Sequence, residues 1–145
     1  MVCSLIDALL GKVSLLTQTK EGTSSMRFSI PAGWRVLVLE DDGDRIGWFK
    51  QRMPSAMFAE TAEQAIKLLG MYKFNAAFLD HDLHPTHLLS IKIFKGTGRE
   101  VAKFMQDMDF KGPVVIHSKN PIGADLMCEF LPHAHIAPFG TFEIS

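Results

Sequence analysis

Three apolar runs in this sequence end in residues that can do chemistry. WRVLVL (residues 34–39) leads into Glu40, Asp41 and Asp42. NAAFL (75–79) leads into Asp80, His81 and Asp82. PVVI (113–116) leads into His117 and Ser118, with Lys119 and Asn120 next. Carboxylates crowded together repel one another, so they hold a cation or shift their pKa values. Short acidic side chains offering only oxygen suit Mg²⁺ or Mn²⁺. Glu40, Asp41 and Asp80 are the candidate metal ligands. The plainer alternative is that Glu40, Asp41, Asp42 and Asp44 complement the dipole of the helix that follows. His84 and His87 add to His81 at a spacing of three, which on a helix would make a zinc-ligand face, but Pro85 argues against a helix there.

These residues need a scaffold that brings them together. The three runs are short and apolar, as strands buried on both faces should be. Between them lie helical patterns. Ile46, Phe49 and Met53 share one face. Thr61 and Gln64 have capping-box spacing, as do Thr97 and Glu100, and Asn120 with Pro121 reads as an N-cap followed by a first-turn proline. Ala56 to Ala59 and His135 to Ala137 supply two more short strands. The alternation predicts a five-stranded parallel, doubly wound, flavodoxin-like sheet. In such sheets ligands bind outside the carboxyl ends of the strands, where the acids and histidines fall. The stretch from Leu83 to Gly96 is long for a connection and suggests a lid or binding loop.

Composition narrows the function classes. At 145 residues the chain suits one compact domain, and its near-neutral charge speaks against an extensive nucleic-acid surface. No apolar run is long enough to span a bilayer. The two cysteines, Cys3 and Cys128, do not make a disulfide framework, so a reducing, cytoplasmic setting is expected. Residues 1–30 read as an amphipathic N-terminal helix (Ser4 to Leu16) and a polar linker (Lys20 to Ser29), with the domain proper at 31–145.

The runs VLVLEDD, FLDHDL and VVIHS together resemble the receiver domain of response regulators. That resemblance implies metal-binding acids at Glu40 and Asp41, a phosphoacceptor at Asp80 and the hydroxyl residue at Ser118. The sequence departs from it where receivers carry a Lys before a Pro, since here Ala137 precedes Pro138. It also stops at Ser145, where receivers continue into a fifth helix. LDHDL (79–83) and HSKNPIG (117–123) with Met127 are similar to a divergent, cyclic-phosphate-processing receiver-like family. FLDHDL also fits the DxD of haloacid dehalogenase-like phosphatases, with Asp80 as nucleophile and Asp82 as acid. That family places its DxD on the first strand, whereas here it follows the third.

The closer resemblance implies a metal-assisted phosphodiesterase or hydrolase with Mg²⁺ or Mn²⁺, acting on an RNA 2′,3′-cyclic phosphate end or a small cyclic nucleotide. It connects the protein with RNA processing and conflict systems. Opening such a ring needs water deprotonated on one side and a leaving oxygen protonated on the other, work that His81 and His117 can share. Asp80 and Asp82 complete the catalytic candidates. Ser118, Lys119 and Asn120, with the amides that Asn120 caps, are the substrate-binding candidates. The alternatives are a signalling module phosphorylated on Asp80 and a non-catalytic module that binds a partner or ligand. Without a fifth helix one sheet face would be bare, so the N-terminal helix is expected to cover it, in its own chain or swapped into a homodimer.

Overall fold

In the computed structural model of the chain the described residues are 14–20, 23–84, 86–88 and 91–145. Two strands come first, β1 (Ser14–Lys20) and β2 (Thr23–Ser29), followed by β3 (Val36–Leu39), α1 (Gly43–Arg52), β4 (Met57–Ala59), α2 (Ala62–Met71) and β5 (Ala76–Leu79). A small hairpin, β6 (Thr86–Leu88) and β7 (Ile91–Ile93), precedes α3 (Gly98–Asp107). Then come β8 (Val114–Ile116), α4 (Pro121–Phe130), β9 (His135–Ile136) and β10 (Phe142–Ile144). The five expected strands form one parallel sheet in the order β4-β3-β5-β8-β9. β3, β5 and β8 are therefore neighbours, and their carboxyl ends open onto one rim.

Alternation along β3 shows how both faces are filled. Leu37 and Leu39 pack with α2, α3 and α4 through Ala65, Leu69, Val101, Met105 and Met127. Val36 and Val38 face the other way, onto Phe49 of α1 and Met53 at its C-cap. The helix starts follow their sequence signals. The Thr61 hydroxyl accepts from the Gln64 amide, and the Asn120 side chain accepts from the Gly123 amide with Pro121 in the first turn. Thr97 and Glu100 form the capping box of α3.

The second face departs from the expectation. Lys20 to Ser29 is not a linker. Thr23–Ser29 is strand β2, which pairs antiparallel with β1 and parallel with β10. Leu16, expected in the helix, lies in β1. The rest of the expected helix lies outside the described residues. What covers the face beside α1 is this three-stranded sheet, through Phe28, Phe142 and Ile144. Phe28 is fully buried, with its ring edge-on to Phe78 and to Phe142. A polar run hid the strand: among its described side chains Phe28 and, in part, Met26 reach the core. Cys128 is disulfide-bonded. Among the described residues no helix is long and apolar enough to cross a membrane.

Truncating Phe28 to Ala should cost about 3–5 kcal/mol of unfolding free energy, as large aromatic-to-alanine changes in cores do. Urea denaturation measures it, and a cost below about 1 kcal/mol would show that this sheet does not share the core.

Candidate functional site

Strand β3 ends in Glu40, whose carboxylate is fully buried at the rim. A buried charge must be paired, and each of its oxygens is. Oε1 accepts from the amides of Asp41 and Asp42, both at 3.0 Å. Oε2 lies 2.9 Å from His117 Nε2, delivered by the end of β8. Burial pushes Glu40 up, but the hydrogen bond and charge of His117, the Asp42 amide and Arg45 outweigh it. The carboxyl ends below its usual value. His117 is itself fully buried, and its Nδ1 has no hydrogen-bond partner among the described residues.

Asp80 follows β5 and completes the group. One ligand atom each from Glu40, Asp80 and His117 lies within 4.8 Å of the others, and all three residues are buried. Asp80 Oδ1 accepts from the His81 amide at 2.8 Å. Burial chiefly raises its pKa, with the Glu40 charge adding to the rise and His117, the His81 amide and Arg45 opposing it. Two carboxylates and an imidazole at this range make a donor set for a divalent cation, which would replace the proton shared by Glu40 and His117 and relieve the repulsion between the acids. The nitrogen donor favours Mn²⁺ over Mg²⁺.

Asp41, expected among the metal ligands, is engaged elsewhere. Its carboxylate accepts from the His84 amide at 2.8 Å and from Lys95 Nζ at 3.3 Å. These contacts tie down the long connection from Leu83 to Gly96, whose ends also meet in a bridge between Asp82 and Thr97. Gly98 lets the start of α3 lie against this rim. A Cβ there would sit 2.0 Å from the Asp80 carbonyl oxygen.

His81 Nδ1 is 2.6 Å from Asp82 Oδ1, which also accepts from Asn120 Nδ2 at 3.2 Å. The His81 bond is the main reason the Asp82 pKa is lowered. The His81 ring packs on Gly123 so closely that a Cβ would come within 2.4 Å of it. That contact accounts for the glycine in HSKNPIG. A cavity of about 200 Å³ opens at the rim, lined by Arg45, Asp80, Asp82, His84, Ser118, Lys119 and Asn120. Neither His81 nor His117 is in its wall. His81 stands behind Asp82, and His117 stands with Glu40 and Asp80. Ser118 is buried and its hydroxyl accepts from the Asn120 amide, while Lys119 is exposed. Sequence reasoning missed Arg45, which reads as an ordinary helix charge, and Lys95, whose partner is remote in sequence.

A family model described as the cyclic-phosphate processing receiver domain matches residues 35–133. No curated protein matches the chain. Among solved structures, the response regulator TrrA from Thermotoga maritima, in complex with Mg²⁺-BeF, is 17% identical with a TM-score of 0.57, over 74% of this chain and 89% of that one. The response regulatory domain of mrkE from Klebsiella pneumoniae is 16% identical with a TM-score of 0.55, over 73% and 83%. A CheY-like receiver domain from Methylobacillus flagellatus is 15% identical with a TM-score of 0.53, over 72% and 84%. At these identities the likeness shows the shared fold.

Because burial raises the pKa of Asp80, the folded state binds its proton more tightly than the unfolded chain does. Stability then falls as pH rises from the ordinary carboxylate value of 3.8 through the raised one. Asp80→Asn should therefore melt higher than the parent at pH 7 without metal, and the gain should vanish below the ordinary value. Calorimetry at the two pH values checks this. A variant that melts lower at pH 7 contradicts it.

Proposed function

This chain belongs to the cyclic-phosphate processing receiver domain family, and we propose that its rim is a metal-assisted phosphoesterase site that opens a cyclic phosphate on a nucleotide or an RNA end. The observation that carries the reading is the convergence of Glu40, Asp80 and His117, beside a polar cavity of about 200 Å³ that Asp80 shares with Ser118, Lys119 and Asn120. Those three converging residues would hold Mn²⁺, or Mg²⁺ less well. When bound, the ion would offset negative charge on the phosphoryl oxygens.

The remaining residues divide the work by position. Asp82 presents its carboxylate to the cavity, fixed by His81 behind it and by Asn120. It takes the proton of the attacking water, and its lowered pKa keeps it ionised at neutral pH. His84, in the same wall, returns a proton to the leaving ribose oxygen. One P–O bond forms, the ring P–O bond breaks, and a phosphomonoester results. His81 is thus a positioning residue, and His117 serves the metal rather than the proton transfer. Ser118, Lys119 and Asn120 bind the phosphate.

A second reading is a signalling module phosphorylated on Asp80. The shared receiver fold and the place of Asp80 after the third sheet strand favour it. Against it, Ala137 is almost fully buried where receivers carry their Lys.

Incubating the full chain with Mn²⁺ and adenosine 2′,3′-cyclic phosphate separates these readings. Turnover to a monoester is expected, and Asp82→Asn or His84→Ala should each lower it by about 10²–10⁴-fold, as loss of a general acid or base does. No turnover, together with acid-labile labelling of Asp80 by acetyl phosphate, would replace the first reading by the second. Neither activity would leave a module that only binds.

A further inference from the structure

The rim cavity has one wall residue that the proposed chemistry leaves unused. Arg45, in the first turn of α1, has a side chain 25% exposed. Its guanidinium lies over the Phe139 ring, 5.1 Å from the centroid. Its nearest approach to a carboxylate is 3.9 Å, to Glu40 Oε2. That is too far for a hydrogen bond. Glu40 is in any case satisfied by two amides and His117. Among the described residues the Arg45 guanidinium makes no hydrogen bond to protein. A long side chain is thus held in place, with its planar fork of donors unspent, on the wall of a cavity that also presents Ser118 and Lys119.

A guanidinium fork matches two oxygens of a phosphate group, and a preordered one loses little entropy on binding. The cation has no counterpart at the far end of the sheet, because the residue before Pro138 is Ala137, 1% exposed. We propose that Arg45 is a further phosphate-binding residue of this chain, beside Ser118, Lys119 and Asn120. It grips two non-bridging oxygens of a nucleotide phosphate ester in the cavity, with Lys119 adding charge at the mouth. This rests on the reading of the cavity as a phosphoester site, and it assigns the anchor from α1 rather than from the end of the sheet.

Calorimetric titration of the full chain with adenosine 2′-monophosphate tests it, with adenosine as the uncharged control and Mn²⁺ titrated separately. Arg45→Gln should weaken nucleotide binding by about tenfold or more, and Arg45→Lys, which keeps the charge but not the fork, by a smaller factor. Adenosine binding and Mn²⁺ affinity should not change. Unchanged nucleotide affinity in both variants, or no binding by the parent, overturns the proposal. So does an equal loss of Mn²⁺ affinity, which would show Arg45 acting through Glu40. Arg45-dependent binding without turnover would sink only the hydrolase reading. Turnover at parental kcat and KM in Arg45→Gln would sink only this one.

Discussion

The rim is organised by a single buried carboxylate. Glu40 has no exposure, so it must be fully paired or protonated, and its partners come from two places in the chain. The Asp41 and Asp42 amides fix how the chain leaves β3, and Asp42 then caps α1. His117 fixes where β8 must end relative to β3, although β5 lies between them. The strand registers around β5 serve that contact. Once Glu40 and His117 meet, the carboxylate that follows β5 can only fall beside them. Asp80 is forced into a site that already holds an acid, and its raised pKa follows from that. A cation is the natural relief.

The sheet and its four following helices were legible because local signals agree with one another. Apolar runs end at acids, and caps sit at fixed offsets before amphipathic stretches. The rim was legible because strand ends in a parallel sheet must share an edge. What sequence could not show is which way each rim side chain turns. Asp41 reads as a metal ligand, yet one of its oxygens is held by the His84 amide and by an ammonium more than fifty positions later. His117 reads as a proton carrier, yet it is sealed beneath the rim. The covering of the second face was misread for a related reason. Strand β2 is polar along most of its length, and its pairing with β10 joins opposite ends of the chain.

The receiver fold is altered here at several linked points. The sheet face beside α1 is closed by β2 and β10, the connection after β5 carries a clasped hairpin, and the strand-five Lys is an Ala. The first change supplies core without a further helix in the described residues. The second brings Lys95 to Asp41 and His84 to the cavity wall. The third removes a cation from the sheet end while α1 offers another.

The central claim is that Glu40, Asp80 and His117 form one divalent-cation centre. Crystals of the full chain soaked in Mn²⁺, with diffraction data collected at the manganese absorption edge, test it most directly. The account predicts one anomalous peak within bonding distance of a carboxylate oxygen of Glu40, one of Asp80 and an imidazole nitrogen of His117, with Asp41 still on Lys95. A peak held by Asp41 without His117, or no peak at the rim, would contradict it.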